Sequence, residues 1–309
     1  MRILFMGTPE FAVPCFEALV ERGYDVCGAV TQPDKPVGRG HKLTPPPVKC
    51  AAAAKNIEVF QPETLKNNAF AETLERLKPE LIVVVAYGKI LPEYILNYPK
   101  YGCVNIHASL LPKYRGAGPI QWSVINGEKK TGITSMLMEK GLDTGDMLLK
   151  CETEIGEYET ASELHDRLML DGAKLLIKTV EGLENGTITP EKQDDSQSCY
   201  APMLTKELAK IDWNKPSAEI INLVRGMNSW PIAHTEYMGE RLRVYRAVCG
   251  NSAKGKCGEI IGVGERGIEV VCGDGKSVFL TEIQAVGSRA MSAAEYANGH
   301  KINIGEILE

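Results

Sequence analysis

Residues 2–6 (RILFM) are dominated by an unbroken apolar run of the length of one strand, as expected for a strand buried on both faces. The following GTPEFAVPCFEALVERG has a turn and then apolar positions at Ala12, Phe16, Leu19 and Val20, the three-and-four spacing of a helix with one buried stripe. The same alternation continues. DVCGAVTQ, ELIVVVAYG and YGCVNIH read as further strands, separated by helical stretches around 48–56, 64–77 and 91–98. TGITSMLM and GDMLLKCETEI then read as two antiparallel strands joined by a short loop, and ASELHDRLMLDGAKLLIKTVEGL as a long amphipathic helix.

Strands alternating with helices predict an α/β fold, a Rossmann-like and mostly parallel sheet with helices on both faces. Residues 189–206 are polar, contain proline and lack periodicity, which is linker composition. Beyond them a helix, PSAEIINLVRGMN, precedes short β segments broken by GERG at 264–267 and GDGK at 273–276. Those are hairpin signals for a small β-barrel, OB-like in size. The expected division is an α/β domain over 1–188, a linker over 189–206, and a barrel domain over 207–309.

Composition narrows the function classes. No run approaches the ~18 apolar residues of a membrane-spanning helix, and the N-terminal apolar run stops too early for a secretory signal. Nine dispersed cysteines without a C-x-x-C pair read as reduced thiols of a cytoplasmic protein. Five scattered histidines give no metal-ligand cluster, so no metal is expected. The formal net charge of −5 argues against a surface coated in positive charge, so nucleic acid could be held only by local patches.

Chemistry is sought at the C-terminal edge of the sheet, where open α/β folds place ligands. GTPEF after the first strand lacks the second and third glycines of a dinucleotide fingerprint. Val104-Asn105-Ile106-His107-Ala108-Ser109-Leu110-Leu111-Pro112 is more informative. Asn105 and His107, two apart on a strand, share one face. An amide N–H and an imidazole N–H side by side can donate to the oxygen that turns negative in a tetrahedral intermediate. A polar pair that merely pins the next loop fits the spacing equally well. Gly141-Leu142-Asp143-Thr144-Gly145-Asp146 offers two carboxylates on a tight loop, though turn chemistry alone accounts for an aspartate between glycines.

Together, Asn-x-His-x-Ser-Leu-Leu-Pro and Gly-Leu-Asp-Thr-Gly-Asp resemble the folate-dependent formyltransferase superfamily. The resemblance implies that Asn105, His107 and Asp143 are a catalytic trio. It implies further that Ser109, Leu110, Leu111 and Pro112 line a folate site, joined by Tyr87, Gly88 and Ile90 of the similar segment Ala86–Pro92. Phe5–Phe11, the loop Thr31–Leu43 and the added C-terminal domain are similar to the branch that formylates methionine on initiator tRNA. That branch implies 10-formyltetrahydrofolate as donor, initiator methionyl-tRNA as acceptor, and a monomer with no membrane partner. It also implies tRNA contacts from Arg39 and Lys42 in the loop and from Arg241 and Arg243 in the barrel.

The chemistry implied is attack of a neutral amine on the formyl carbon. Asn105 and His107 would hold the oxyanion, while Asp143 orients the imidazole and relays a proton through water. Charge permits a tRNA only locally. Residues 34–49 hold Lys35, Arg39, Lys42 and Lys49 against Asp34, and Arg241, Arg243, Arg246, Lys254 and Lys256 make a second cluster. The 207–309 segment as a whole, with 12 basic and 13 acidic side chains, is not basic, so a stripe must do the binding. A formyltetrahydrofolate hydrolase or a nucleotide-sugar formyltransferase would share the trio, and the basic 34–49 loop speaks against both. A tRNA- or folate-binding module without catalysis would have no need of the trio.

Overall fold

The computed structural model describes residues 1–37 and 42–309. They divide into two compact units, one of residues 1–116, 132–153 and 165–200, the other of 117–131, 154–164 and 201–309.

The first unit is built on seven strands. In chain order these are β1 (Arg2–Gly7), β2 (Asp25–Val30), β5 (Val59–Phe60), β6 (Leu81–Val85), β7 (Cys103–His107), β8 (Lys130–Leu137) and β9 (Met147–Glu154). Between β2 and β5, β3 (Lys35–Val37) and β4 (Lys42–Thr44) form a separate antiparallel pair. The sheet order is β5-β2-β1-β6-β7-β8-β9. All pairs from β5 to β7 are parallel, and β8 runs antiparallel to β7. This is the Rossmann-like sheet that the alternation predicts.

The apolar run of β1 is buried because both of its faces are covered. Leu4 and Met6 lie in a core with Leu74 and Leu77 of α3 (Ala71–Leu77) and Ile95 and Leu96 of α4 (Glu93–Leu96). Phe5 points the other way, with its ring 5.5 Å from that of Phe16 in α1 (Val13–Glu21). On that face α6 (Ala161–Glu184) brings Gly172 against Ile106 of β7, where an added Cβ would sit 3.2 Å from the Ile106 methyl. Helix α2 (Pro47–Ala54) starts, like α1, with proline in its first turn, where the missing N–H costs nothing.

Strand order reverses between β1 and β6, which opens a crevice at their C-terminal ends. Thr8 Oγ1 donates to the Tyr87 carbonyl there at 3.0 Å and accepts from the Gln32 N–H at 3.2 Å.

The second unit contains α5 (Pro119–Ile125), α7 (Ser217–Gly226), α8 (Ala293–Gly299) and an antiparallel sheet. Its strands are β10 (Ala233–Tyr237), β11 (Glu240–Ser252), β12 (Ile260–Gly264), β13 (Gly267–Val271), β14 (Lys276–Ala285) and β15 (Met291–Ser292), with path β10-β11-β14-β13-β12 and β15 beside β14. The two open edges, β10 and β12, are joined by residues 305–309. Glu309 exchanges backbone hydrogen bonds with Glu236 of β10, while Gly305 and Glu306 bond to Ile260 and Leu308 to Gly258. That segment makes the sheet barrel-like by occupying the edges that would otherwise expose unpaired groups. Inside are Trp213, Val224, Leu242, Val244, Val270, Val278 and Leu280. Trp213 donates from its indole to Thr235 Oγ1 at 3.0 Å.

The 189–206 stretch, polar enough to read as a linker, runs along the first unit as far as Tyr200. Glu191 exchanges backbone hydrogen bonds with Met147 (2.7 and 2.8 Å), and the Arg115 N–H donates to the Cys199 carbonyl. Among the described residues no helix is long and apolar enough to cross a membrane.

Candidate active site

Strand β7 ends with Asn105 half-buried and His107 buried, 6% exposed. Their neighbour Ile106 points to the opposite face, toward α6. A buried imidazole needs partners for its nitrogens. The chain supplies one at Tyr114, whose φ of 60° belongs to the left-handed region. The Tyr114 carbonyl lies 2.9 Å from His107 Nε2. A carbonyl oxygen only accepts, so Nε2 carries a proton and donates. Nδ1 is turned toward Asp143, 3.7 Å from Oδ2. That is ion-pair range and beyond a hydrogen bond.

The loop between His107 and Tyr114 is fixed from β8. Thr134 Oγ1 donates to the Ser109 carbonyl at 2.7 Å and accepts from the Leu111 N–H at 3.1 Å. Ser109 Oγ donates to the Lys113 carbonyl at 2.6 Å. Ser109 and Leu111 are therefore buried, Leu111 against Met136 and Met147, while Leu110 and Pro112 stay accessible. Of the other residues assigned to folate, Gly88 has a φ of 82° and Ile90 is 89% exposed. Tyr87 differs. Its ring lies in the core with Val30, Phe70 and Leu91, and its hydroxyl is buried with no hydrogen-bond partner among the described residues. Burial, with a contribution from Tyr94, pushes that phenol up to about 12. Tyr87 thus offers backbone, not ring, at the crevice edge.

Asp143 sits between β8 and β9, its φ of 53° left-handed. Its Oδ2 accepts from the Gly116 N–H at 2.9 Å. The turn closes where the Leu137 N–H donates to the Asp146 carbonyl at 2.8 Å. Gly145 is required in it, because a Cβ there would lie 1.9 Å from the Leu137 oxygen. Asp143 thus faces His107 with its carboxylate, whereas Asp146 serves the turn through its backbone. Two contributors to this arrangement carried no sequence signal. The Tyr114 carbonyl is backbone, and Gln193, whose amide donates to the Asp143 and Gly145 carbonyls at 2.8 Å each, lies in the linker-like stretch.

Residues 1–180 match the formyl transferase family model, and residues 203–301 match the model of the formyl transferase C-terminal domain. The methionyl-tRNA formyltransferase of Alkaliphilus oremlandii is 53% identical over 309 residues, covering 100% of this chain and 99% of that one. That of Clostridium novyi is 50% identical over 311 residues, covering 100% of both. The chain belongs to the methionyl-tRNA formyltransferase family. Solved structures agree on the fold of this formyltransferase. An N-formyltransferase from Helicobacter canadensis, in complex with folinic acid and dTDP-3-aminofucose, superposes with a TM-score of 0.70 at 20% identity, covering 92% of this chain and 99% of that one. HypX from Aquifex aeolicus, in complex with tetrahydrofolic acid, gives 0.65 at 17%, covering 99% and 50%.

The cations of this formyltransferase divide by what holds them. Lys35 and Lys42 are exposed on the β3–β4 pair, and Arg39 lies outside the described residues. Lys49, counted with them in the sequence, is tied down: its ammonium donates to both oxygens of Asp34 (2.8 and 2.9 Å) and to Gln61 (2.7 Å). Hydrogen bonds from Lys49 and Gln61 hold the Asp34 carboxyl below its usual range. On β11, Arg241 and Arg243 are exposed between the inward Leu242 and Val244, so they share the outer face as alternation requires.

Proposed function

We propose that this formyltransferase moves the formyl group of 10-formyltetrahydrofolate to the α-amino group of methionine on initiator methionyl-tRNA, in the cytoplasm, for translation initiation. The observation that carries the reading is the buried His107 facing Asp143 at the end of a strand that also presents Asn105. Near-50% identity to methionyl-tRNA formyltransferases over the full chain selects the acceptor.

The neutral amine attacks the formyl carbon, a new N–C bond forms, and the carbonyl oxygen becomes an oxyanion. Asn105 donates its amide N–H to that oxygen. His107 spends Nε2 on Tyr114, so its proton traffic runs through Nδ1, the nitrogen facing Asp143. Collapse re-forms the carbonyl and breaks the bond to N10 of the folate, which takes up a proton as the amine gives one up. Leu110, Pro112, Gly88 and Ile90 border the donor, and Ser109 and Leu111 shape the loop beneath it. Arg39, Lys42, Arg241 and Arg243 contact the tRNA. Holding both substrates in attack geometry contributes alongside these groups.

Alanine at Asn105, His107 or Asp143 should leave a folded protein whose kcat is lower by ~100-fold or more. Asp146→Ala should keep most of the rate. Near wild-type turnover for Asp143→Ala alongside an inactive Asp146→Ala would overturn the assignment.

A further inference from the structure

We propose that Gln193 is a positioning residue for Asp143, delivered to the site by the polar stretch that follows the catalytic fold. The inference rests on the reading of Asp143 as part of the site. Asp143 has two features that must be held in place: a left-handed backbone and a carboxylate aimed at a buried histidine. Both are met by contacts from outside the turn. The two N–H groups of the Gln193 amide donate to the carbonyls of Asp143 and Gly145, each at 2.8 Å. Its Oε1 accepts twice from Arg115, from Nε at 3.0 Å and Nη2 at 2.8 Å. The N–H of the next residue, Gly116, donates to Asp143 Oδ2, the same oxygen that faces His107.

These contacts close a ring. Gln193 holds the Asp143 backbone, Gly116 holds its carboxylate, and Arg115 joins Gln193 to the segment that carries Gly116. Only a primary amide can fill the place of Gln193, since it must donate twice and accept twice from one planar group. The strap cannot slide in register, because Glu191 is paired with Met147 on one side of Gln193 and Cys199 with Arg115 on the other. Arg115, its side chain 12% exposed, also binds Asp195 at 2.7 Å. A displacement of about 1 Å in a reacting group can cost on the order of 100-fold in rate, so a ring that fixes Asp143 has a kinetic consequence although Gln193 touches no substrate.

The test uses Gln193→Ala and Gln193→Glu in the full chain, with kcat, both KM values and the unfolding midpoint measured for each. Gln193→Ala should lower kcat by about 10-fold or more, within the loss expected for a misplaced group, with KM for folate and tRNA nearly unchanged. Gln193→Glu keeps the acceptor for Arg115 and has no N–H for the two carbonyls, so it should be no faster. Recovery of the wild-type rate in Gln193→Glu would show that Arg115 anchoring alone matters and would overturn the proposal. In an Asp143→Asn background, adding Gln193→Ala should change kcat little, because both act through one group. A slow Asp143→Asn enzyme beside a fully active Gln193→Ala enzyme defeats this inference only. A fully active Asp143→Asn enzyme defeats the reading of the site beneath it.

Discussion

Arg243 and Arg246 stand three positions apart on β11 and differ in what holds them. Arg243 donates to the neutral Gln284 and keeps its charge uncompensated by a carboxylate at that contact. Arg246 is 2.6 Å from Glu163 and 3.6 Å from Glu282. Phosphate contacts release counterions only where a cation is free to take the place of one. Replacing Arg241 and Arg243 by alanine should therefore reduce the salt slope of tRNA affinity by about one unit per residue. Arg246→Ala should leave the slope alone. Binding isotherms across a salt series check this, and an unchanged slope in the double variant would remove both residues from the interface. The shared face of Arg241 and Arg243 was legible because Leu242 and Val244 alternate with them. The pairing of Arg246 was not, since Glu163 lies 83 residues upstream and the β11 register shifts between Val244 and Arg246. Lys49 is the same case: a free cation by composition, and in the fold the partner of Asp34.

Helix α6 begins at a reciprocal cap. Thr160 Oγ1 accepts from the Glu163 N–H at 3.3 Å, and Glu163 Oε2 accepts from the N–H and hydroxyl of Thr160 at 2.8 Å each. Partial burial works against the charged carboxylate, yet Arg246 and Thr160 outweigh it and bring Glu163 down to about 2. A carboxylate depressed on folding stabilises above its unfolded range, near pH ~4.3, and loses that contribution as pH falls toward 2. Glu163→Gln should thus unfold at a lower temperature than wild type at pH 5, with the gap narrowing as pH drops toward 2.5. Thermal melts across that range check it, and a constant gap would contradict the linkage. Elements with strong periodicity, such as α6 and the β1, β6 and β7 strands, were readable from their side chains. The strap at 189–200 was not, because polar residues that bond to an ordered loop have the composition of a linker. The closing segment at 305–309 was hidden for another reason: edge pairing depends on which strands the fold leaves open.

At the scale of the whole molecule, a net charge of −5 coexists with membership of a family whose relatives are named for a tRNA substrate. Under the proposed function local placement reconciles them: among the described residues Lys42, Arg241 and Arg243 are exposed, whereas Lys49 and Arg246 are paired with carboxylates. The trio was legible in part. Two polar residues on one face of a buried strand marked a place to look, but their spacing did not say which aspartate would meet His107, and the 3.7 Å approach of Asp143 is a product of the fold. The direct measurement supplies purified protein with 10-formyltetrahydrofolate and, in parallel, charged initiator methionyl-tRNA, an amino-sugar nucleotide, or buffer alone, and follows donor loss and formylated product. Formylmethionyl-tRNA is the expected product, with donor consumed only when that tRNA is present. Donor hydrolysis at the same rate in buffer, or formylation of the amino sugar in preference to the tRNA, would contradict it.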